Sequence, residues 1–172
     1  MNAHPAEVPS SAQLPDRLAI LNLLGIYSAY ANDGDLDGWG SLFADDAIFE
    51  IHLPDGTYPV DKATLLAGEK HIFQLYRDRK ANPASGERRL FLFSNPYVAR
   101  QDISDADVGV TMTLVRTSPD GPHPHIEATG TYTGTLVKRE NIWLIHRWRV
   151  QTDRTPEPMQ DGPAHPDAAW EN

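Results

Sequence analysis

The chain has 172 residues, no cysteine, and a formal net charge of −9 from 24 acidic and 15 basic residues. That length supports one domain with its own apolar core, and without thiols there are no disulfides, thiol nucleophiles or thiolate metal sites, which suits a reducing cytoplasm. The acidic balance repels polyanions and no basic stripe offsets it, so a nucleic-acid partner is not expected; nor is a membrane one, because no apolar run is long enough to span a bilayer.

Residues 1–13, rich in Pro, Ser and Ala, read as a flexible tail, and their sequence has neither the basic start nor the apolar core of a secretion signal. Pro15 and Asp16 suit the first turn of a helix that continues to about Ala31. Ile20, Leu24, Tyr27 and Ala31 fall on one face of it, and such a stripe must lie against something wide and apolar. Asn32-Asp33-Gly34-Asp35 breaks the helix. A short second helix is predicted from Leu36 to Phe43, and a first strand from Ala47 to His52. Asp55-Gly56 is a turn signal, and Asp61 can cap a helical region from Lys62 to Lys80, with a kink at Gly68.

After the loop around Pro83-Ala84-Ser85-Gly86, four strand-like segments follow: Arg89 to Arg100, Val108 to Thr117, His125 to Lys138 and Trp143 to Gln151. Val108, Val110, Met112 and Leu114 alternate with threonines. Ile126, Ala128, Gly130, Tyr132 and Leu136 likewise oppose His125, Glu127, Thr129, Thr131 and Thr133. This is the two-residue period of an antiparallel sheet with one buried face. Helices first and a meander after predict an α+β fold, with a strongly curved, mostly antiparallel sheet closed over by the N-terminal helices. The domain is expected over residues 14–152, and residues 153–172 form a Pro-rich tail in which Trp170 is an aromatic able to anchor a partner subunit.

The helix, acidic turn, Trp39, the LF-A-DDA run, SNP on a central strand, GTYTGTL and W-L-I-H-R, in that order, resemble the SnoaL-like group of the nuclear transport factor 2-like superfamily. The resemblance covers roughly residues 14 to 152. It implies a cone-shaped α+β barrel with an apolar cavity, homo-oligomers (dimers or trimers), and cofactor-free eliminations, isomerisations or cyclisations of small hydrophobic ring molecules, although fold does not fix activity. Members include polyketide cyclases, scytalone dehydratase, a bile-acid dehydratase and the lindane dehydrochlorinase. In the dehydratases and the dehydrochlorinase an Asp at the end of the first helix orients a His base lying four residues before the Asn of the SNP-like motif. Those positions fall on Asn32 and Phe91, which can neither hold an imidazolium by charge nor move a proton; a one-residue slip would put Asp33 at the first position, but nothing nearby puts a His at the second. The resemblance also marks Tyr27, one turn before Asn32, as a pocket tyrosine able to donate to a carbonyl or enolate; it reads equally as a packed helix–sheet contact.

His146 is the base candidate from pattern alone, because Leu144, Trp148 and Val150 share its parity; the opposite phase, with Trp143 and Ile145 inward, would bring Arg147 to the cavity instead. A histidine among apolar neighbours is also a common core residue. His52 ends the first strand near a cavity mouth, with Phe49 and Ile51 as the inward pair. His123-Pro124-His125 has the form of a metal pair but lies by a turn-rich loop without a third ligand, so no metal site is expected. Asp33, Asp35 and Asp37 lack the glycine and glutamate of a calcium loop and read as helix terminators and caps. Arg88-Arg89 reads as a solvated strand entry, with an anion-binding role left open for want of a partner motif.

Two functions fit. The first is a cofactor-independent lyase, isomerase or cyclase whose ligand cavity is lined by Leu24, Tyr27, Phe43, Phe49, Phe73, Phe91, Met112, Tyr132 and Trp148, with Tyr27 and Asn32 steering a carbonyl and His146 as acid or base. The second is a binding or accessory protein that kept the cavity and lost the chemistry.

Overall fold

A computed structural model describes residues 9–53, 56–81, 88–117 and 123–153. Most of both expected tails, Trp170, the Pro83–Gly86 loop and the loop at 118–122 lie outside the described residues. Helix α1 spans Leu14–Asp33 with Pro15 in its first turn, and it ends where Gly34 takes φ 68°, a left-handed conformation that suits glycine. The Gly34 N–H closes the helix onto the carbonyls of Ala31 and Tyr30. Its buried residues are Ile20, Leu23, Leu24, Tyr27 and Ala31, the face expected from the spacing.

Asp35 caps the short helix α2 (Leu36–Ser41) by accepting from the Gly38 N–H at 2.9 Å. The second helix therefore stops at Ser41, earlier than expected, and Phe43 opens strand β1 (Phe43–Leu53). Strand β2 (Gly56–Asp61) was not legible in the sequence. It is an exposed edge strand containing Pro59, a position where a missing N–H costs no ladder bond and where no buried face forces alternation. The Asp61 carboxylate accepts from the Thr64 N–H at 2.8 Å and starts helix α3 (Lys62–Ala81).

Strands β3 (Arg88–Gln101), β4 (Asp105–Thr117), β5 (His125–Arg139) and β6 (Ile142–Thr152) complete a six-stranded sheet in the order β2-β1-β6-β5-β4-β3. The β1–β6 pair is parallel and the other pairs are antiparallel. The fold is α+β, with N-terminal helices against a curved sheet that stays unclosed between β2 and β3. The SNP segment therefore lies on an edge strand rather than a central one, and there Asn95 takes φ 51° at a break in register. Helix α1 packs on β3 and β6 while α3 packs on β1, and Trp148, Ile20, Leu24, Leu65, Leu136 and Ile145 are fully sealed between the layers.

Two bulges re-aim side chains against the simple alternation. On β6, Thr135 pairs with Arg147 and Leu136 with Ile145, so His146 is the extra residue. Trp143 and Ile145 are buried before it, and Trp148 and Val150 after it, so each of the two phases weighed for this strand holds on its own side of the bulge. On β5, Leu114 pairs with Ala128 and Val115 with Ile126, so Glu127 is extra. Ile126, expected inward, is exposed, whereas the Glu127 side chain is only 13% exposed.

Candidate functional site

Seven aromatic side chains converge between helices and sheet, and Tyr27 of α1 is their hub. Its ring stacks on Phe93 at 4.9 Å between centroids and meets Trp39 of α2 edge-on at 5.4 Å. Trp148 of β6, Phe91 of β3, Phe43 of β1 and Tyr132 of β5 surround it at 5.9 to 6.3 Å. Phe73 of α3 joins through Trp39 at 5.1 Å. The alternation of β3 puts Phe91 and Phe93 on the same face. These two and Tyr76 are half-buried, while Tyr27, Trp148, Phe73 and Met112 are sealed, so the accessible edge of this aromatic cluster, called the chamber below, lies between α3 and β3.

Among the described residues, the Glu69 carboxylate lies close to this aromatic cluster. Leu65, Glu69 and Phe73 follow one another at four-residue spacing along α3, and both apolar members are buried, which places Glu69 on the inner stripe of the helix. Its carboxyl is surrounded by protein although the residue keeps some accessible surface, and among the described residues no hydrogen bond or ion pair holds it. Desolvation raises its pKa from 4.5 to about 7. It is near enough to Tyr27, Tyr76 and Tyr132 for its charge to disfavour each phenolate.

The Tyr27 hydroxyl is pushed well above the usual tyrosine range, first by burial and then by the Tyr132 and Glu69 charges. The indole N–H groups of Trp39 and Trp148 act against this from close by, although neither nitrogen, both buried, makes a hydrogen bond of normal geometry. At the rim, the Tyr76 hydroxyl lies beside Arg89, whose guanidinium bonds Glu127 at 2.5 Å, with both side chains largely buried. Among the described residues no three His, Asp or Glu side chains converge closely enough to hold a metal ion.

Residues 12–149 match the SnoaL-like domain family. The chain is a SnoaL-like protein. No curated protein matches the sequence. Among solved structures it is similar to Rv3472 of Mycobacterium tuberculosis, a protein of unknown function, at 20% identity and TM-score 0.64, covering 93% of this chain and 87% of that one. A scytalone dehydratase candidate from Novosphingobium aromaticivorans gives 15% identity and TM-score 0.63 over 90% and 100% of the two chains. ActVI-ORFA of Streptomyces coelicolor gives 14% and 0.61 over 81% and 98%. At these identities the likeness establishes the fold.

Three site expectations change in this SnoaL-like protein. Asn32 does not present its amide to the chamber: Nδ2 donates to the Phe91 carbonyl at 2.8 Å and Oδ1 accepts from the Phe91 N–H at 2.7 Å. The amide thus occupies the free edge of β3 as a neighbouring strand would. His146, carried outward by its bulge, has a side chain 40% exposed and lies 3.8 Å from Asp46, outside the aromatic chamber. Leu24, Phe49, Met112 and Trp148 stand on the inner face as expected but are sealed core, whereas Phe91 and Phe93 keep accessible surface toward the opening. Elsewhere, His52 is tied through Nδ1 to the Thr57 hydroxyl at 2.9 Å.

Glu69 was missed, yet its signal was present. A carboxylate at the centre of a Leu65–Glu69–Phe73 stripe breaks the amphipathic pattern of an otherwise ordinary helix. Glu127 had no such signal, because its parity argued for solvent and only the bulge turned it inward.

Proposed function

We propose that this protein is a cofactor-independent enzyme of the lyase, isomerase or cyclase type, acting on a small hydrophobic ring-shaped molecule, with Glu69 as proton acceptor and Tyr27 as the donor to a substrate carbonyl. The observation that supports it is the Glu69 carboxylate standing without a counter-ion among tyrosine hydroxyls in an aromatic chamber. A structural carboxylate would be expected to acquire a partner, since burying it alone is costly. A base held near neutrality is suited to taking a proton from carbon.

In the step inferred, Glu69 removes a proton α to the carbonyl, the C–H electron pair moves into the new carbon–carbon double bond, and the carbonyl oxygen takes the charge. Tyr27 donates to that oxygen. Reprotonation at another carbon, loss of a β-substituent or attack on a second carbonyl then gives isomerisation, elimination or cyclisation. Coarser support comes from family membership and from neighbours that include a scytalone dehydratase candidate. A homo-oligomer is carried forward from the resemblance, to be tested by light scattering.

The alternative is a ligand-binding accessory protein. It is favoured by Asn32 and Phe91, which fill the positions of the family's Asp and His and are tied to each other structurally. Exchange of the α-protons of 2-tetralone into D2O, followed by NMR, separates the two. The enzyme reading expects catalysed exchange that falls about a hundredfold in Glu69→Gln and less in Tyr27→Phe, with tetralone affinity retained. Binding without catalysed exchange supports the accessory protein.

A further inference from the structure

Helices α1 and α3 pack on one face of the sheet, and among the described residues no helix lies on the other. On that outer face four cross-strand rows run over β3, β4 and β5, from Leu90–Val115–Ile126 at one end to Tyr97–Gly109–Thr133 at the other. The two rows between them hold Leu92, Ser94 and four threonines. None of the twelve residues is charged, whereas 23% of the chain is, a share that would place about three charges in such a block. Charge returns around it, with Arg100 bonded to Asp107 beyond the Tyr97 row and Arg149 bonded to Glu50 beside β5.

Two register breaks bring large apolar side chains to this face. On β3, Tyr97 has the parity of the inward Phe91 and Phe93, but the break around Asn95 turns it outward. There its ring lies on Gly109, where a Cβ would meet it at 2.3 Å, and 53% of the residue stays exposed. On β5, the extra residue Glu127 does the same for Ile126, which is 63% exposed. Leaving both in water, beside the exposed Leu90 and Leu92, forfeits the gain from burying them.

We propose that a second copy of this chain covers this face, in an isologous contact anchored by Tyr97 and Ile126. A chain of net charge −9 repels its own copy, so two copies meet most readily where charge is missing. An uncharged face offers nothing to select an oppositely charged partner. Its threonine hydroxyls both donate and accept, so they can satisfy an identical face. Three strands about 4.8 Å apart, with rows about 6.8 Å apart, make a block of about 400 Å². The side chains just around it bring the face to about 800 Å², one partner's share of a specific interface with an apolar centre and a charged rim. The contact rests on the homo-oligomer reading above, gives it a surface and closes it at two copies. It holds whether or not Glu69 performs chemistry.

Sedimentation equilibrium of the full chain, from about 1 to about 100 µM, tests this. The expected species has twice the chain mass of 19.1 kDa. Ile126→Lys sets a charge against its own copy and should weaken the dimer at least about hundredfold. Ile103→Lys, at a 92% exposed position in the β3–β4 turn outside this face, should leave it unchanged. Circular dichroism establishes that the variants are folded, and Thr131→Lys, at the exposed centre of the block, serves if Ile126→Lys is not. A monomer throughout overturns both the contact and the homo-oligomer, and leaves the face to a different protein. A trimer, or a dimer that survives Ile126→Lys and Thr131→Lys, overturns the assignment to this face and leaves the homo-oligomer standing.

Discussion

Replacing Glu69 by Gln preserves the size of the side chain and removes its ionisation, so the change isolates the cost of holding a carboxyl inside the aromatic chamber. Its pKa is raised by desolvation from 4.5 to about 7. A carboxyl whose pKa is higher in the folded state keeps a proton that the unfolded chain has already lost, so folding is favoured at low pH, and this advantage disappears as pH rises toward 7. Between about pH 5 and about pH 8 the linkage integral gives about 2 to 3 kcal/mol, as a ceiling that water reaching the half-buried residue reduces. Urea unfolding of both proteins across this range should show the wild type losing about 1 to 3 kcal/mol relative to Glu69→Gln, with the curves parallel above about pH 8. Parallel curves throughout would mean that Glu69 ionises as a solvated surface carboxylate, and the chamber would lose its base.

Three further outcomes follow from the same geometry. Asn32→Asp should destabilise the fold by about 1 to 3 kcal/mol in denaturant titrations, because a carboxylate would face the Phe91 carbonyl in place of the Nδ2 donor; adding Phe91→His to restore the family pair should not recover it. His146→Ala should leave tetralone exchange and affinity unchanged, since the side chain lies by Asp46 outside the chamber, and a large loss would show that the bulge aims it otherwise. Gly34→Ala should cost at least about 1 kcal/mol for its left-handed backbone alone, and more because a Cβ there would lie 2.6 Å from the Phe73 carbonyl oxygen; an unchanged melting temperature would count against the α1–α3 contact.

The fold was largely written in local patterns: the α1 stripe, the capping aspartates at 35 and 61, and the alternation of β4 and β5 each point to the element that forms. Strand β2 escaped because an exposed edge carries no alternation to read. The site was less legible because bulges reverse parity without a residue signature, and they moved His146 outward and Glu127 inward. Asn32 looked catalytic by position, but its partner is a backbone segment 59 residues away, a contact that only the packing of α1 against β3 reveals. Glu69 stood in plain view as a charge within a buried stripe.

The central claim is that an ionisable carboxyl on α3 meets the ligand inside the aromatic chamber. The most direct test is a ¹³C NMR titration of the Glu69 carboxyl, assigned by its loss in Glu69→Gln, with and without 2-tetralone. The account predicts a midpoint near 7 that shifts when tetralone is added; a midpoint in the ordinary carboxylate range, indifferent to the ligand, would contradict it.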